Sequence, residues 1–279
     1  MSSSNSTATA SFSDGRSNGA PLVALRGITK RFGPVQALTR IDADIPPGQV
    51  TALAGDNGAG KSVTIKTIAG LWAPDEGEIL WEGQPVGFHG PRDAEAHGIT
   101  TIYQDLALCE NLDIVQNMFL GHEPLRRRLL DEATMELTAR KTLEDLSVTT
   151  IRSIRQPVAS LSGGQRQSVA VAKAVMSKAK LVILDEPTAA LGVAQTTMVL
   201  SLIKRLASQG VAVLVVSHNL NDVFAVADRI VILRLGRMVA QGPVSRFDPS
   251  IVVDYMTTGR SSRAQEAMPA HAEESRKEA

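Results

Sequence analysis

One eight-residue stretch, Gly55-Asp56-Asn57-Gly58-Ala59-Gly60-Lys61-Ser62, constrains this chain more than any other feature. It fits the pattern G-x-x-x-x-G-K-[S/T], a loop that leaves a buried strand and opens a helix. Such a loop wraps an anion with its N–H groups turned inward, and glycines permit that path and the close backbone approach. The following helix directs its positive end at the same anion. Lys61 supplies a mobile cation for the β- and γ-phosphates of a nucleotide, and the Ser62 hydroxyl suits the octahedral shell of Mg²⁺. The flanks agree. Residues 50–54 (VTALA) read as a buried strand, and 61–69 as a helix with Gly70 as its C-cap.

The same alternation continues along the chain. Leu181-Val182-Ile183-Leu184 is a short apolar run that stops at Asp-Glu-Pro. Residues 211–216 form a β-branched run suited to a strand buried on both faces. Ahead of it Val199, Leu202, Ile203 and Leu206 recur at helical spacing, and Gly210 closes that helix. Strand–helix alternation predicts an α/β fold with a largely parallel sheet. The opening, about 22–50, is richer in strand-like pieces and turns, which predicts an antiparallel β portion. Residues 105–160 show no strong strand. Asp131 is placed to cap a helix with the apolar stripe Met135, Ala139, Leu143 and Leu146, so this segment reads as a helical insertion. The arm 1–20, rich in Ser, and the tail 259–279, of mixed charge, read as flexible, leaving 21–258 as the folded domain.

Composition narrows the function classes. Lys plus Arg and Asp plus Glu both total 29, so the formal charge is zero. That argues against a surface built mainly for nucleic acid or anionic lipid, while leaving local patches open. Aromatics are only 4%, so base-stacking platforms are not a theme. The single cysteine, Cys109, excludes an intrachain disulfide. The longest strictly apolar run has six residues, against roughly 20 for a membrane-spanning helix.

Asp185, Glu186 and His218 fall at predicted strand ends, where open α/β sheets bind ligands. Asp185 is placed to hold Mg²⁺, and Glu186 to polarise a water for in-line attack on a γ-phosphate. His218 follows the run that ends at Ser217 and offers a hydrogen bond or a charge to the same phosphate. Gln104 carries both acceptor and donor groups, enough to touch a metal-bound water and an attacking water. Leu161-Ser162-Gly163-Gly164-Gln165 reads equally well as a second anion site and as an ordinary helix start capped by Ser162.

Together these pieces resemble the ATP-binding subunits of the ABC transporter family. Gly55–Ser62 matches its Walker A motif, Gln104 its Q-loop, Leu161–Gln165 its LSGGQ signature, Leu181–Glu186 Walker B with the following glutamate, and His218 the switch histidine. Phe32 falls where the family places an aromatic that stacks on adenine. The resemblance covers about 22–257. It implies a P-loop NTPase of ABC type that binds ATP and Mg²⁺, with Ser62, Gln104 and Asp185 toward the metal and Glu186, His218, Gln104 and Lys61 toward catalysis. It further implies a head-to-tail homodimer, in which Ser162, Gly163, Gly164 and Gln165 reach the γ-phosphate held by the partner copy. Membrane permease subunits would dock near the Q-loop and the insertion, at the cytoplasmic face of the inner membrane.

A finer resemblance, to the ATPases of ribose, xylose and fructose importers, rests on 102–121, 188–192 and 217–236. It implies monosaccharide import, with a periplasmic or extracellular sugar-binding protein as an indirect partner. Gly192 stands where most of the wider family has Asp, as it does in the sugar group, and puts that residue's coupling role in doubt. Val63 stands where a hydroxyl residue usually touches the α-phosphate. Import or export of another solute is an alternative. A soluble ABC ATPase acting on DNA is less favoured, because only about 100 residues separate Lys61 from Ser162, too few for a long coiled-coil insert.

Overall fold

A computed structural model of the chain describes residues 10–11 and 20–261. Most of the predicted arm, and the tail beyond Ser261, lie outside the described residues. The strands are β1 (Ala10–Ser11), β2 (Val23–Phe32), β3 (Val35–Ile45), β4 (Val50–Ala54), β5 (Glu76–Trp81), β6 (Gln84–Val86), β7 (Ile99–Ile102), β8 (Leu125–Arg126), β9 (Leu129–Leu130), β10 (Leu181–Asp185), β11 (Ala212–Val216), β12 (Arg229–Arg234) and β13 (Arg237–Pro243). The helices are α1 (Lys61–Ile68), α2 (Pro91–Ala96), α3 (Ile114–Phe119), α4 (Glu132–Asp145), α5 (Gly163–Met176), α6 (Val193–Ser208), α7 (Leu220–Val226) and α8 (Pro249–Thr258).

The main sheet has the order β1-β13-β12-β4-β11-β10-β7 and is parallel except for the β12–β13 hairpin. The β1 pairing, Ala10 to Ala240, puts one short stretch of the expected flexible arm at the sheet edge. A second sheet, β3-β2-β5-β6, is wholly antiparallel and forms the expected front portion.

Central strands of the main sheet are buried on both faces, and their side chains divide by parity between two cores. From β10, Val182 and Leu184 join the core that carries α5, α6 and the insertion. Leu181 and Ile183 join the core shared with α1 and the antiparallel sheet. Each such aliphatic contributes roughly 1.5–3 kcal/mol when buried, so the register is held from both sides.

The insertion is helical, as its pattern predicts. Asp131 Oδ1 accepts from the Thr134 N–H at 3.2 Å, and α4 buries Met135, Ala139 and Leu143, with Leu146 also buried at its end. A small β8–β9 hairpin, too short to give a periodic pattern, interrupts it. Arg155 binds Asp113 at 3.1 Å and Glu132 at 3.0 Å, and also pairs with Glu136, tying both insertion helices to the chain that runs into α5. Two helix ends shift slightly from the reading above. α1 stops at Ile68 with Ala69 as cap, and Gly70 follows at φ +71°. Likewise Gln209 caps α6, and Gly210 follows at φ +90°.

Candidate nucleotide-binding site

The phosphate loop is shaped by what surrounds it. Gly55 sits at φ +156°, and a Cβ there would lie 2.5 Å from the Leu233 carbonyl oxygen. Gly60, at φ +104°, caps α1 and packs against Leu38 and Ala37 of β3. The β12–β13 turn braces the loop from a third side, with Gly236 N–H donating to the Ala59 carbonyl at 3.0 Å. The motif's spacing gives no sign of these bracing residues, because Leu233 and Gly236 are distant in sequence.

Lys61 is buried, and its ammonium donates to the carbonyls of Gly55 at 2.6 Å and Asp56 at 3.1 Å. Asp56, Asn57 and Gly58 form the exposed crest of the loop, Ala59 is buried beneath it, and Ser62 is exposed at the first turn of α1. Val63 packs against the core between the two sheets. The neighbouring Thr64 does not substitute for a hydroxyl there, since its Oγ1 is buried and donates to the Gly60 carbonyl at 3.0 Å.

The strand ends lie level. Leu53 pairs with Val216, Val216 with Asp185, and Ile102 with Leu184. The loops that follow these strands, carrying the phosphate loop, Asp185-Glu186, His218 and Gln104, therefore leave one edge of the sheet. Burial pushes the Asp185 carboxyl above its ordinary range, the neighbouring Glu186 charge pushes it the same way, and Lys61 and Lys66 oppose both. Burial also raises Tyr103, with a smaller push from Asp185, a proximity absent from the sequence reading.

Glu186 adopts φ +50°, a strained backbone for a residue with a side chain. Its N–H donates to the Val216 carbonyl at 2.9 Å, and its Oε1 lies 2.8 Å from His218 Nδ1. The carboxylate is only 16% exposed while the imidazole is 65% exposed. Behind the pair, Asp222 Oδ2 accepts from Thr188 Oγ1 at 2.6 Å and from Asn219 Nδ2 at 3.1 Å. The loop after Glu186 is thus fastened to the loop that carries His218. Asp222 gives no signal in the sequence beyond its helical position.

At the signature, Ser162 caps α5 in a reciprocal pairing with Gln165. Ser162 Oγ accepts from the Gln165 N–H at 3.3 Å, and Gln165 Oε1 accepts from the Ser162 N–H at 2.9 Å. The glycines have a packing role of their own. A Cβ on Gly163 would lie 2.7 Å from Leu191 Cδ2, and one on Gly164 would lie 2.9 Å from Met198 Cε. A cleft of about 320 Å³ beside them is lined by Gln104, Gly163, Gln167, Glu186 and Leu191 among others. Gly192 sits at φ −73°, ψ 163° with open space where a Cβ would point, so the backbone does not demand glycine there.

Phe32 ends β2 and is 39% exposed, its ring meeting Trp72 edge-on at 4.7 Å between centroids. It lies on the β2–β3 hairpin whose Ala37 and Leu38 abut Gly60.

Among the described residues no helix is long and apolar enough to cross a membrane. Residues 38–189 match the ABC transporter family. The chain is 48% identical over 258 residues to the fructose import ATP-binding protein FrcA of Rhizobium meliloti, covering 90% of this chain and 98% of that one. It is 42% identical over 237 residues to the xylose/arabinose import ATP-binding protein XylG of Sulfolobus acidocaldarius, covering 85% and 94%. Among solved structures it is similar to a nucleotide-free ATP-binding cassette from an ABC transporter, with a TM-score of 0.73 at 25% identity over 84% of this chain and 98% of that one. A dimeric post-hydrolysis cassette bound to ADP and Pi shares the fold, with a TM-score of 0.67 at 24% identity over 80% and 98%. The chain belongs to the ABC transporter family and is one of its ATP-binding subunits.

Proposed function

We propose that this chain hydrolyses ATP as a homodimer and drives import of a monosaccharide through membrane permease subunits at the cytoplasmic face, with a sugar-binding protein delivering the cargo. The observation that carries the hydrolytic part is the Glu186–His218 pair at 2.8 Å, at the same sheet edge as the phosphate loop. The sugar class rests on the names of the relatives. The working unit is residues 21–258.

In this reading the loop N–H groups of 55–62 and the Lys61 ammonium bind the β- and γ-phosphates, and Phe32 stacks on the adenine. Lys61 exchanges its two loop carbonyls for phosphate oxygens, which keeps its buried charge compensated at each stage. Ser62, Gln104 and Asp185 would suit Mg²⁺ because they are hard oxygen donors, and Asp185 is a buried carboxyl beside the charge of Glu186. When bound, that ion neutralises charge on the phosphates. Glu186 accepts the proton of the attacking water. With Nδ1–H donated to Oε1, His218 holds that carboxylate in one orientation.

Ser162 completes the partner's site. As an acceptor from the Gln165 N–H it retains its own hydroxyl proton to donate to a γ-phosphate oxygen. Nucleotide then favours the closed dimer because only that state uses both surfaces. Mixing Lys61→Ala chains with Ser162→Arg chains tests this. Each mixed dimer is expected to hold one composite site with both lesions and one intact site, so activity returns to no more than that of a single site per dimer. Full parental activity in the mixture would contradict the head-to-tail geometry. Vesicles containing the permease, the binding protein and this ATPase are expected to hydrolyse ATP faster with fructose, ribose or xylose, and a response only to a non-sugar solute would overturn the cargo assignment.

Val63 offers a gain. Val63→Thr is expected to tighten ATP binding by about 1 kcal/mol, roughly fivefold, through one added phosphate hydrogen bond. Titration with a fluorescent ATP analogue measures it, and unchanged affinity would place that side chain out of reach of the phosphates.

A further inference from the structure

The β8–β9 hairpin of the insertion takes no part in the site described above. Leu125 faces Leu130 and Arg126 faces Leu129, leaving Arg127 and Arg128 as a two-residue turn at φ +52° and +70°. A turn with both central residues in the left-handed region favours glycine and asparagine. Two arginines there set charge at the tip against local conformational preference. The hairpin is nevertheless held firmly. The Asp131 N–H donates to the Pro124 carbonyl at 2.9 Å across its base, and Asp131 itself caps α4.

The acidic side chains nearest in sequence are engaged elsewhere. Glu123 Oε1 accepts from the Gly121 N–H, Asp131 Oδ1 from the Thr134 N–H, and Glu132 pairs with Arg155. Among the described residues no ion pair involves Arg126, Arg127 or Arg128. Among the described residues the flanking leucines are some of the most exposed large apolar ones, Leu129 at 74%, Leu125 at 67% and Leu130 at 53%. Three guanidinium groups without an ion pair among the described residues thus share one tip with three exposed leucines, Leu125 and Leu130 on one face of the hairpin and Leu129 beside Arg126 on the other.

We infer that the 125–130 hairpin is a membrane-surface contact, its arginines pairing with anionic lipid headgroups and its leucines entering the interface between headgroups and acyl chains. The chemistry favours a bilayer over an acidic protein loop, because a charge-only partner leaves the leucines in water. Arginine suits the role through its forked donors to phosphate. Each such cation near an anionic surface adds to binding, and exposed apolar residues add the insertion that charge alone does not provide. The contact requires neither nucleotide nor permease, so it stands or falls separately from the transport reading.

The test is sedimentation of the full chain with phosphatidylcholine vesicles, with and without phosphatidylglycerol, over a range of salt. The parent chain is expected to bind only the anionic vesicles and to release as salt rises. Arg127→Asn with Arg128→Gly installs residues the turn prefers, so the hairpin keeps its shape, and binding is expected to fall about fivefold for each arginine removed. Leu129→Ser is expected to weaken binding while leaving its salt dependence intact. ATPase activity of the soluble chain reports that each variant is folded and is expected to stay unchanged. Equal sedimentation of parent and Arg127→Asn/Arg128→Gly chains would overturn the inference. So would a parent chain that ignores anionic vesicles while the same variant loses its hold on permease-containing membranes, which would assign the hairpin to a protein contact instead.

Discussion

Glu186→Gln is expected to lower the rate of ATP hydrolysis at least about 100-fold while ATP affinity stays nearly constant, the range ascribed to a positioned general base. The amide oxygen can still accept from His218 Nδ1 at the observed 2.8 Å, and glutamine has the shape to occupy the same φ +50° backbone. Geometry is therefore retained while proton-accepting power is lost. The variant also removes the carboxylate charge that helps raise Asp185, so the pKa of Asp185 is expected to fall. With ATP bound and not consumed, the dimer is expected to persist and to elute as a double-mass species in ATP but not in ADP. Phosphate release and light scattering measure the two outcomes. Normal turnover would remove Glu186 from the role of base.

Gly55→Ala is expected to abolish nucleotide binding and to cost about 3 kcal/mol of stability, combining backbone strain with overpacking. The obstacle is the Leu233 carbonyl oxygen, 2.5 Å from the added carbon, and it belongs to a sheet strand that cannot swing aside. Gly58→Ala provides the contrast. At φ +78° it carries strain, but nothing lies within 4 Å of its added Cβ, so about 1 kcal/mol is expected. Urea unfolding and nucleotide titration distinguish the two. Equal losses would mean that conformational preference alone, and not the close approach to Leu233, selects glycine at 55.

Local signals carried much of this architecture because they act over a few residues. The phosphate loop, the Ser162 and Asp131 caps and the Met135–Ala139–Leu143 stripe were all legible, since capping and helical period are short-range effects. What escaped depends on segments far apart in the chain. The brace of the loop by Leu233 and Gly236 and the tie from Thr188 to Asp222 arise only when strands separated by tens of residues align; the sequence places Glu186 and His218 at the same phosphate, and the structure adds their direct contact at 2.8 Å. The positive φ of Glu186 has no compositional mark, because glutamate is not a residue that favours the left-handed region. Of the two readings of the signature, the capped helix start is present in the reciprocal Ser162–Gln165 pairing, and that arrangement is compatible with an anion site on the same residues.

The glycines of that signature have a mechanical corollary. Gly163 faces Leu191, and Gly164 faces Met198 and Gln195, so a Cβ on either glycine would press on the segment that follows Glu186 or on α6. A larger residue at either position would displace those side chains or push the start of α5 away from them. The absence of side chains at 163 and 164 is what lets the start of α5 lie this close to the segment that follows Glu186.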